Sequence, residues 1–242
     1  MIVSIVVPAF NEEKLLPACL ESIRSAVAAL EKRAWDWEIV VCDNNSSDKT
    51  AEIASSLGAR VVFESINQIG RARNTGASEA QGTWLVFVDA DSTVSESVFE
   101  ALATAIESGT VVGGGACLSA DDELASRIRV PLMVWNLISR TCRWAAGSFL
   151  FCRKDIFDAI GGFNLQHFAG EELDLSRRIK RAGNKEGASF VILKGCRIRT
   201  SSRKFGLYSH RELLGTLFSM IFRYRGTTGN RGSCFLWYDG RR

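Results

Sequence analysis

The feature that most constrains the fold is the alternation of short apolar runs with amphipathic stretches over residues 3–106. Four runs rich in Val and Ile predict buried strands, at residues 3–10, 37–42, 59–63 and 84–88. Apolar residues at helical spacing predict helices over residues 12–32, 50–57, 71–80 and 96–106. Strand–helix alternation builds βαβ units around a parallel sheet. The sequence therefore predicts an α/β fold with a single Rossmann-like, mostly parallel central sheet flanked by helices.

The second half is less regular. "TVVGGGACLS" predicts a strand whose glycines admit another backbone or a ligand. A helix is expected between residues 121 and 143 and a strand at 145–152. "FAGEELDLSRRIKRAG" predicts a helix with Gly183 as its C-cap. No repeat or low-complexity linker appears, so we expect a single domain over residues 1–242.

Composition excludes some classes of protein. The net charge of +3 is too small to indicate nucleic acid as a partner. The seven cysteines form no C-x-x-C pair, which favours a reducing compartment. No secretory signal is visible, and the apolar patch at residues 213–222 is shorter than the roughly 20 residues that span a bilayer. These features predict a cytoplasmic protein without a transmembrane segment.

Three loops are expected at one edge of the sheet, because ligands of parallel α/β sheets bind at the carboxyl ends of the strands. The loops are residues 8–13, 43–48 and 89–92. The first has no G-x-G-x-x-G, which argues against a nicotinamide or flavin enzyme. In the third, Asp89 and Asp91 lie one residue apart and point to one face in extended backbone. Their charges repel unless a cation or proton lies between them, although turn and capping chemistry alone is the alternative.

Two further groups of charged residues have two interpretations each. Arg71 and Arg73 lie near a helix start, where the macrodipole disfavours cations. An anionic ligand would explain them, and a solvated helix end is the alternative. Glu171 and Glu172 stand in the first turn of a helix, which the macrodipole favours without any catalysis. One of them could instead take a proton from an acceptor hydroxyl.

Five segments together resemble family 2 glycosyltransferases with the GT-A fold. They occur in the order and spacing of that family over residues 3–183, as "SIVVPAFNEE", "EIVVCDNNSSDKTAEIA", "GRARNTGASEAQG", "FVDADS" and "GGFN…GEELDLSRRIKRAG". The resemblance implies a UDP- or GDP-sugar donor and a hydroxyl-bearing acceptor, either lipid-linked or a small molecule. It implies a nucleotide-sugar-binding half at 1–95, an acceptor and catalytic half at 96–200, and a basic extension at 201–242. The base and ribose would be held by Pro8, Ala9, Phe10, Glu12 and Asp43.

The same resemblance assigns the remaining site residues. Asp89-Ala90-Asp91 matches the family's D-x-D motif. Asp91 would then ligate Mg²⁺ or Mn²⁺ on the diphosphate, and Asp89 would contact the ribose or the metal shell. Arg71 or Arg73 would assist the departing nucleoside diphosphate, as could the basic residues at 203–204. Glu172 stands where the family has its base for an inverting displacement, with Glu171 as the fallback. His210 is a further candidate metal ligand, although a lone histidine is more often structural.

Other readings stay open at this point. An apolar strand before D-x-D-x-T also opens haloacid-dehalogenase-like phosphatases, in which Asp89 would be the nucleophile and Asp91 the acid. A nucleotide-sugar-binding protein without activity is the third reading. A Q-x-x-R-W motif is absent, so polysaccharide synthesis coupled to export is not expected. Two apolar segments, "VPLMVWNLISRTCRW" and "FGLYSHRELLGTLFSMIFRYRG", could line a lipid-facing groove, a dimer interface or, as is commonest at helical spacing, the core. A peripheral membrane contact and a homodimer are both compatible with the sequence.

Overall fold

The computed structural model of the protein describes residues 1–120 and 125–201. Its strands are β1 (Ile2–Ala9), β2 (Asp36–Asp43), β3 (Arg60–Phe63), β4 (Trp84–Val88), β5 (Ser92–Thr93), β6 (Val111–Ala120), β7 (Phe149–Arg153) and β8 (Ser189–Thr200). Its helices are α1 (Leu16–Ala26), α2 (Ala28–Glu31), α3 (Thr50–Ser56), α4 (Ile69–Glu79), α5 (Glu96–Glu107), α6 (Ala125–Cys142), α7 (Lys154–Ala159) and α8 (Glu171–Lys185).

The strands form one sheet in the order β3-β2-β1-β4-β7-β6-β8-β5. The first four are parallel, as the strand–helix alternation predicts. Beyond β4 the sheet is mixed, because β7 runs antiparallel to both β4 and β6 while β6 and β8 are parallel. The predicted α/β fold with a single central sheet is confirmed, and its parallel part is the half that the sequence pattern described best.

Strand register brings the predicted loops to one edge. Ala9 at the end of β1 pairs with Asp43 at the end of β2, so the two strands finish level. Val6 of β1 pairs with Phe87 of β4, and Asp89 follows β4 directly. The chain therefore leaves β1, β2 and β4 at the same edge, where polar side chains can meet.

Apolar layers cover both faces of the sheet. Val3, Ile5 and Val7 point into one layer, which α1 and α5 close. Val6 points to the other, where it meets residues of α4 and α8. The helix α8 turns an apolar stripe to this layer, with Leu175 and Ile179 fully buried. That packing fixes the first turn of α8 beside the carboxyl edge of the sheet.

Gly183 is not the C-cap that the sequence predicts, because α8 continues to Lys185. The residue instead allows close packing, since an added Cβ would overlap the Val112 side chain and lie 2.9 Å from the Ala188 carbonyl oxygen. The glycines of β6 act similarly. A Cβ on Gly113 would lie 2.7 Å from the carbonyl oxygen of Phe151, so a neighbouring strand is what comes close there.

The sequence analysis did not predict three elements, the two-residue strand β5, the helix α7 and the strand β8. β8 opens with the apolar run at residues 190–193, which the sequence analysis did not assign, and continues past Lys194 and Gly195, where the register against β6 shifts. α7 has only six residues. Within residues 1–120 and 125–201, no helix combines the length and apolarity needed to cross a membrane.

Candidate active site

Arg73 is the centre of the site. It lies on α4 with a side chain only 2% exposed. Its Nη1 donates to Glu171 Oε1 at 2.6 Å, and its Nη2 donates to Asp89 Oδ1 at 2.7 Å. The same Nη2 also donates to the carbonyl oxygen of Gly147 at 3.2 Å. One guanidinium therefore joins α4, the end of β4, the segment before β7 and the start of α8.

The electrostatics of Arg73 follow from these contacts. Burial alone would lower its pKa, but the charges of Asp89 and Glu171 outweigh burial and raise the pKa. The Phe163 ring lies 5.1 Å from its Cζ and covers it further. The sequence analysis offered an anionic ligand or a solvated helix end for Arg73, whereas the structure buries its side chain against carboxylates of the protein itself. Arg71 lies two positions earlier on α4, half-buried, and residues at this spacing do not share a helix face.

The two glutamates at the start of α8 have different environments. Gly170 precedes them with a φ of 72°, in the left-handed region that glycine adopts without strain. Glu171 is 3% exposed and bound to Arg73. Glu172 is half-buried, and burial followed by the charge of Glu171 raises its pKa to about 8, against the opposing effect of Arg73. Glu172 is therefore a stronger proton acceptor than an ordinary carboxylate.

The loops after β1 and β2 are joined by short hydrogen bonds. The Asn11 amide donates to Ser46 Oγ at 2.9 Å, and the Glu12 amide donates to Thr50 Oγ1 at 2.8 Å. Asp43 is buried and accepts the Ser46 amide at 3.2 Å, as a strand-ending aspartate does in a turn. Together with Pro8, Ala9 and Phe10, these loops form a rigid wall at the edge of the sheet.

Asn44 and Gln68 are site-supporting residues that sequence reasoning missed. Asn44 is buried, donates to the carbonyl oxygens of Glu64 and Ile66, and accepts the Gln68 amide at 3.0 Å. Gln68 Nε2 donates to the carbonyl oxygens of Leu165 and His167, at 2.8 and 3.0 Å. This chain of amides ties the segment before Glu171 to the sheet. The available signal was an Asn directly after the strand-ending Asp43 and a Gln directly before a helix.

Asp91 and Asp89 are the predicted metal ligands. Asp91 is half-exposed and accepts Ser92 Oγ at 3.3 Å on Oδ1. Asp89 is engaged through Oδ1 with Arg73. In residues 1–120 and 125–201 no group of three or more His, Cys, Asp or Glu is placed to hold a metal ion. Mg²⁺ is commonly bound by one or two carboxylates together with substrate phosphates, so this donor set fits such an ion. His210 lies outside the described residues.

An α/β sheet with acids gathered at the carboxyl edge of its parallel strands is typical of enzymes that bind nucleotides there. The profile described as glycosyl transferase family 2 matches residues 4–169. The chain belongs to this family and is, by family, a transferase. The predicted family is confirmed, and the phosphatase reading of Asp89 loses its support.

Two relatives illustrate the similarity. A "PGL/p-HBAD biosynthesis glycosyltransferase" of Mycobacterium bovis is 28% identical over 186 residues, covering 72% of this chain and 68% of that protein. "Uncharacterized glycosyltransferase EpsJ" of Bacillus subtilis is 31% identical over 128 residues, covering 50% of this chain and 36% of that protein. The alignments thus span between about one third and two thirds of the relatives' lengths.

Solved structures share the fold. Residues 1–349 of S. aureus TarS in complex with UDP-GlcNAc superpose with a TM-score of 0.63 at 16% identity, over 98% of this chain and 69% of that chain. Mycobacterium tuberculosis glucosyl-3-phosphoglycerate synthase, in complex with Mn²⁺, UDP-glucose and phosphoglyceric acid, gives a TM-score of 0.55 at 18% identity, over 78% and 69% of the two chains. The predicted GT-A fold is confirmed.

Proposed function

We propose that the protein transfers a sugar from a nucleoside-diphosphate sugar to an acceptor hydroxyl. The observation that carries the proposal is the Arg73 bridge, which holds the D-x-D motif and the paired glutamates of α8 in one cluster. Family membership supports the reaction class. The solved structures that contain UDP-GlcNAc and UDP-glucose support a UDP-sugar, with a GDP-sugar as the alternative donor.

The donor nucleotide would bind along the edge formed by β1, β2 and β4. Pro8, Ala9 and Phe10 line the end of β1, and buried Asp43 and Glu12 supply carboxylates for a ribose hydroxyl or a base N–H. Asp89 and Ala90 would complete the ribose side. The level ends of β1 and β2 support this arrangement, because they place these groups on one continuous surface.

Asp91, with Asp89 beside it, would hold Mg²⁺ or Mn²⁺ together with oxygens of the donor diphosphate. The ion would supply positive charge where the departing nucleoside diphosphate develops negative charge. The Mn²⁺ in the glucosyl-3-phosphoglycerate synthase structure supports a divalent metal for this fold. Arg73 is the cation of α4 that lies at the proposed metal site, bound to Asp89 and Glu171, whereas Arg71 lies on another face of the helix and is the less suited of the two predicted arginines.

Glu172, in the deprotonated form that predominates above its pKa of about 8, would take the proton of the acceptor hydroxyl. The acceptor oxygen would then bond to the anomeric carbon while the bond from that carbon to the diphosphate oxygen breaks, which inverts the anomeric centre. Glu171 is less suited to this step, since it is buried and bound to Arg73. Its charge instead helps to raise the pKa of Glu172. Arg73 acts as a positioning residue between the two motifs.

The first experiment is a thermal-shift screen of UDP, GDP, dTDP and CDP, each with EDTA, Mg²⁺ or Mn²⁺. A ligand that binds only the folded state stabilises it by about 2.7 kcal/mol at a hundred times its Kd. We expect one nucleotide to raise Tm, and to do so more with a divalent metal than with EDTA. The absence of a shift with all four nucleotides would contradict the proposed donor class.

A further inference from the structure

The surface of α6 carries an apolar stripe that faces solvent. Its members, which we call the α6 stripe, are exposed by 36–68% and comprise Val130, Met133, Val134, Leu137 and Ile138. Their spacing of three and four residues places them on one helix face. A surface helix normally turns such a face to the core, and a contiguous exposed apolar patch marks an interaction site.

Contacts made by the opposite face of α6 hold the helix so that the stripe faces solvent. Leu132 and Trp135 pack against the main core. Asn136 pairs with the backbone of Leu118, donating to its carbonyl oxygen and accepting its amide, each at 2.9 Å. Ser139 is buried and donates to the carbonyl oxygen of Trp144 at 2.7 Å. Rotation of α6 to bury the stripe would break these contacts, so the stripe must be covered from outside.

The charged residues of α6 itself are all arginines, whereas Asp121, Asp122 and Glu123 precede the helix in the sequence. The sequence from residue 125 to residue 153 contains no Asp or Glu, and arginines lie in the first two turns and in the last turn of α6. Arg129, Arg140 and Arg143 are exposed residues that flank the stripe. Arg140 also places Nε 3.2 Å from Cys117 Sγ. Next to the helix end, the Arg177 guanidinium stacks on the Trp144 ring with Cζ 4.6 Å from the centroid.

We propose that the α6 stripe docks onto an anionic lipid surface. An apolar face flanked by arginines is the pattern of helices that lie in the plane of a membrane interface. The apolar side chains would enter the boundary of the acyl chains, while the flanking arginines reach headgroup phosphates through their flexible stems. This surface is distinct from the Arg73 cluster, so the inference goes beyond the proposed function.

Charge complementarity favours a lipid surface over two other possible partners of the α6 stripe, a second copy of the chain and residues 202–242. In a symmetric dimer the same patch contacts itself, which would bring the arginines of two α6 helices together. Residues 202–242, which lie outside the described structure, contain eight Lys or Arg and two Asp or Glu, so their charge has the same sign as the stripe's flanks. An anionic bilayer supplies the opposite charge.

The test is flotation of the full chain with phosphatidylcholine vesicles, with and without phosphatidylglycerol, in the absence of nucleotide. We expect binding only to vesicles that contain phosphatidylglycerol, weakened as salt screens the arginines. Met133→Asp/Leu137→Asp should lower the partition coefficient at least about tenfold, because two apolar side chains no longer leave water. Phe63→Asp is the matched control, since Phe63 is 61% exposed on β3 near the other end of the sheet. It should bind as the parent chain does.

A second variant keeps the test independent of folding. Arg129→Gln/Arg143→Gln alters only exposed charges and should weaken binding to phosphatidylglycerol while leaving Tm unchanged. Failure of the parent chain to bind, or equal binding by the Met133→Asp/Leu137→Asp variant, would overturn the proposal. A dimer that this variant dissociates, without vesicle binding, would assign the stripe to a second copy and also overturn it. Since no nucleotide is present, either failure leaves the proposed transfer reaction untouched.

Discussion

At the scale of single residues, Arg73 is the side chain on which the site depends most. Arg73→Gln would leave the buried carboxylate of Glu171 without its cation, and breaking a buried ion pair costs about 3–5 kcal/mol. Equilibrium urea unfolding should show this loss. Arg60→Gln is the control, because the Arg60 pair with Glu38 is partly exposed and should cost about 1 kcal/mol or less. A loss no larger than the control's would contradict the bridging role.

Glu172 is the residue on which the proposed chemistry depends. Glu172→Gln should lower the rate of sugar transfer at least about a hundredfold, the usual scale of acid–base catalysis, while retaining nucleotide binding. The measurement compares turnover with the thermal shift for the same variant. Glu171→Gln provides the contrast, since it should lower the stability of the fold as well as the rate. Near-normal turnover of Glu172→Gln would move the base elsewhere.

The raised pKa of Glu172 also gives stability a pH dependence. The folded protein binds this proton up to a pKa of about 8, whereas an ordinary glutamate releases it near 4.5. The stabilisation that this bound proton gives to the folded state is therefore fully present below about pH 4.5, and it is lost as pH rises towards 8. Glu172→Gln should raise Tm relative to the parent more at pH 8.5 than at pH 4.5. An equal difference at both pH values would contradict the shift.

Asp91 carries the proposed metal dependence. Asp91→Ala should abolish the extra Tm increase that Mn²⁺ gives to nucleotide binding, because one of the two carboxylates available to the ion is lost. Thermal unfolding without ligand should change little, since Asp91 is half-exposed. An unchanged Mn²⁺ effect would contradict the metal-binding role of Asp91. The proposed nucleotide site would still stand, but its metal ligand would lie elsewhere.

At the scale of elements, the apolar periodicity predicted the strands and helices that are marked by a local sequence pattern. The strand at Trp84–Val88 and the helices over the first half follow from apolar spacing, and the structure has them. The first part of β8 has a local signal in the run at residues 190–193, whereas its continuation past Lys194 and Gly195 depends on pairing with β6 where the register shifts. Likewise Arg73 and Glu171 were recognised as candidates from their types, but their mutual contact depends on the packing of α8 against the sheet. Tertiary contacts of this kind leave no local signature.

Substitution of Gly183 can separate the effect of local helix propensity from that of tertiary packing. In an exposed helix interior, Gly→Ala stabilises by about 1 kcal/mol. At Gly183 the added Cβ would overlap the Val112 side chain, so Gly183→Ala should instead destabilise by about 1–3 kcal/mol, the usual cost of overpacking. Gly70→Ala in α4 is the matched control, since its nearest contact would be an ordinary 3.6 Å to Phe163 Cβ. Urea unfolding of both variants should give shifts of opposite sign.

At the scale of the whole molecule, the sheet makes the two halves of the chain one structure. β7, from the second half, is hydrogen-bonded along β4 from Trp84↔Arg153 to Val88↔Phe149. Arg73 adds a buried link between the same halves. Neither residues 1–95 nor residues 96–200 can therefore unfold alone without breaking sheet pairing and exposing core.

This continuity bears on the predicted single domain. Urea unfolding of the full chain should show coincident transitions by far-UV circular dichroism and by tryptophan fluorescence, as expected when no intermediate accumulates. Tryptophans lie in both halves, for example Trp84 and Trp144, so fluorescence reports on each. Loss of nucleotide binding should fall in the same transition, because the proposed donor site is assembled from the ends of β1, β2 and β4 together with α8. Two separated transitions would show that the halves unfold independently and that the Arg73 bridge does not couple them.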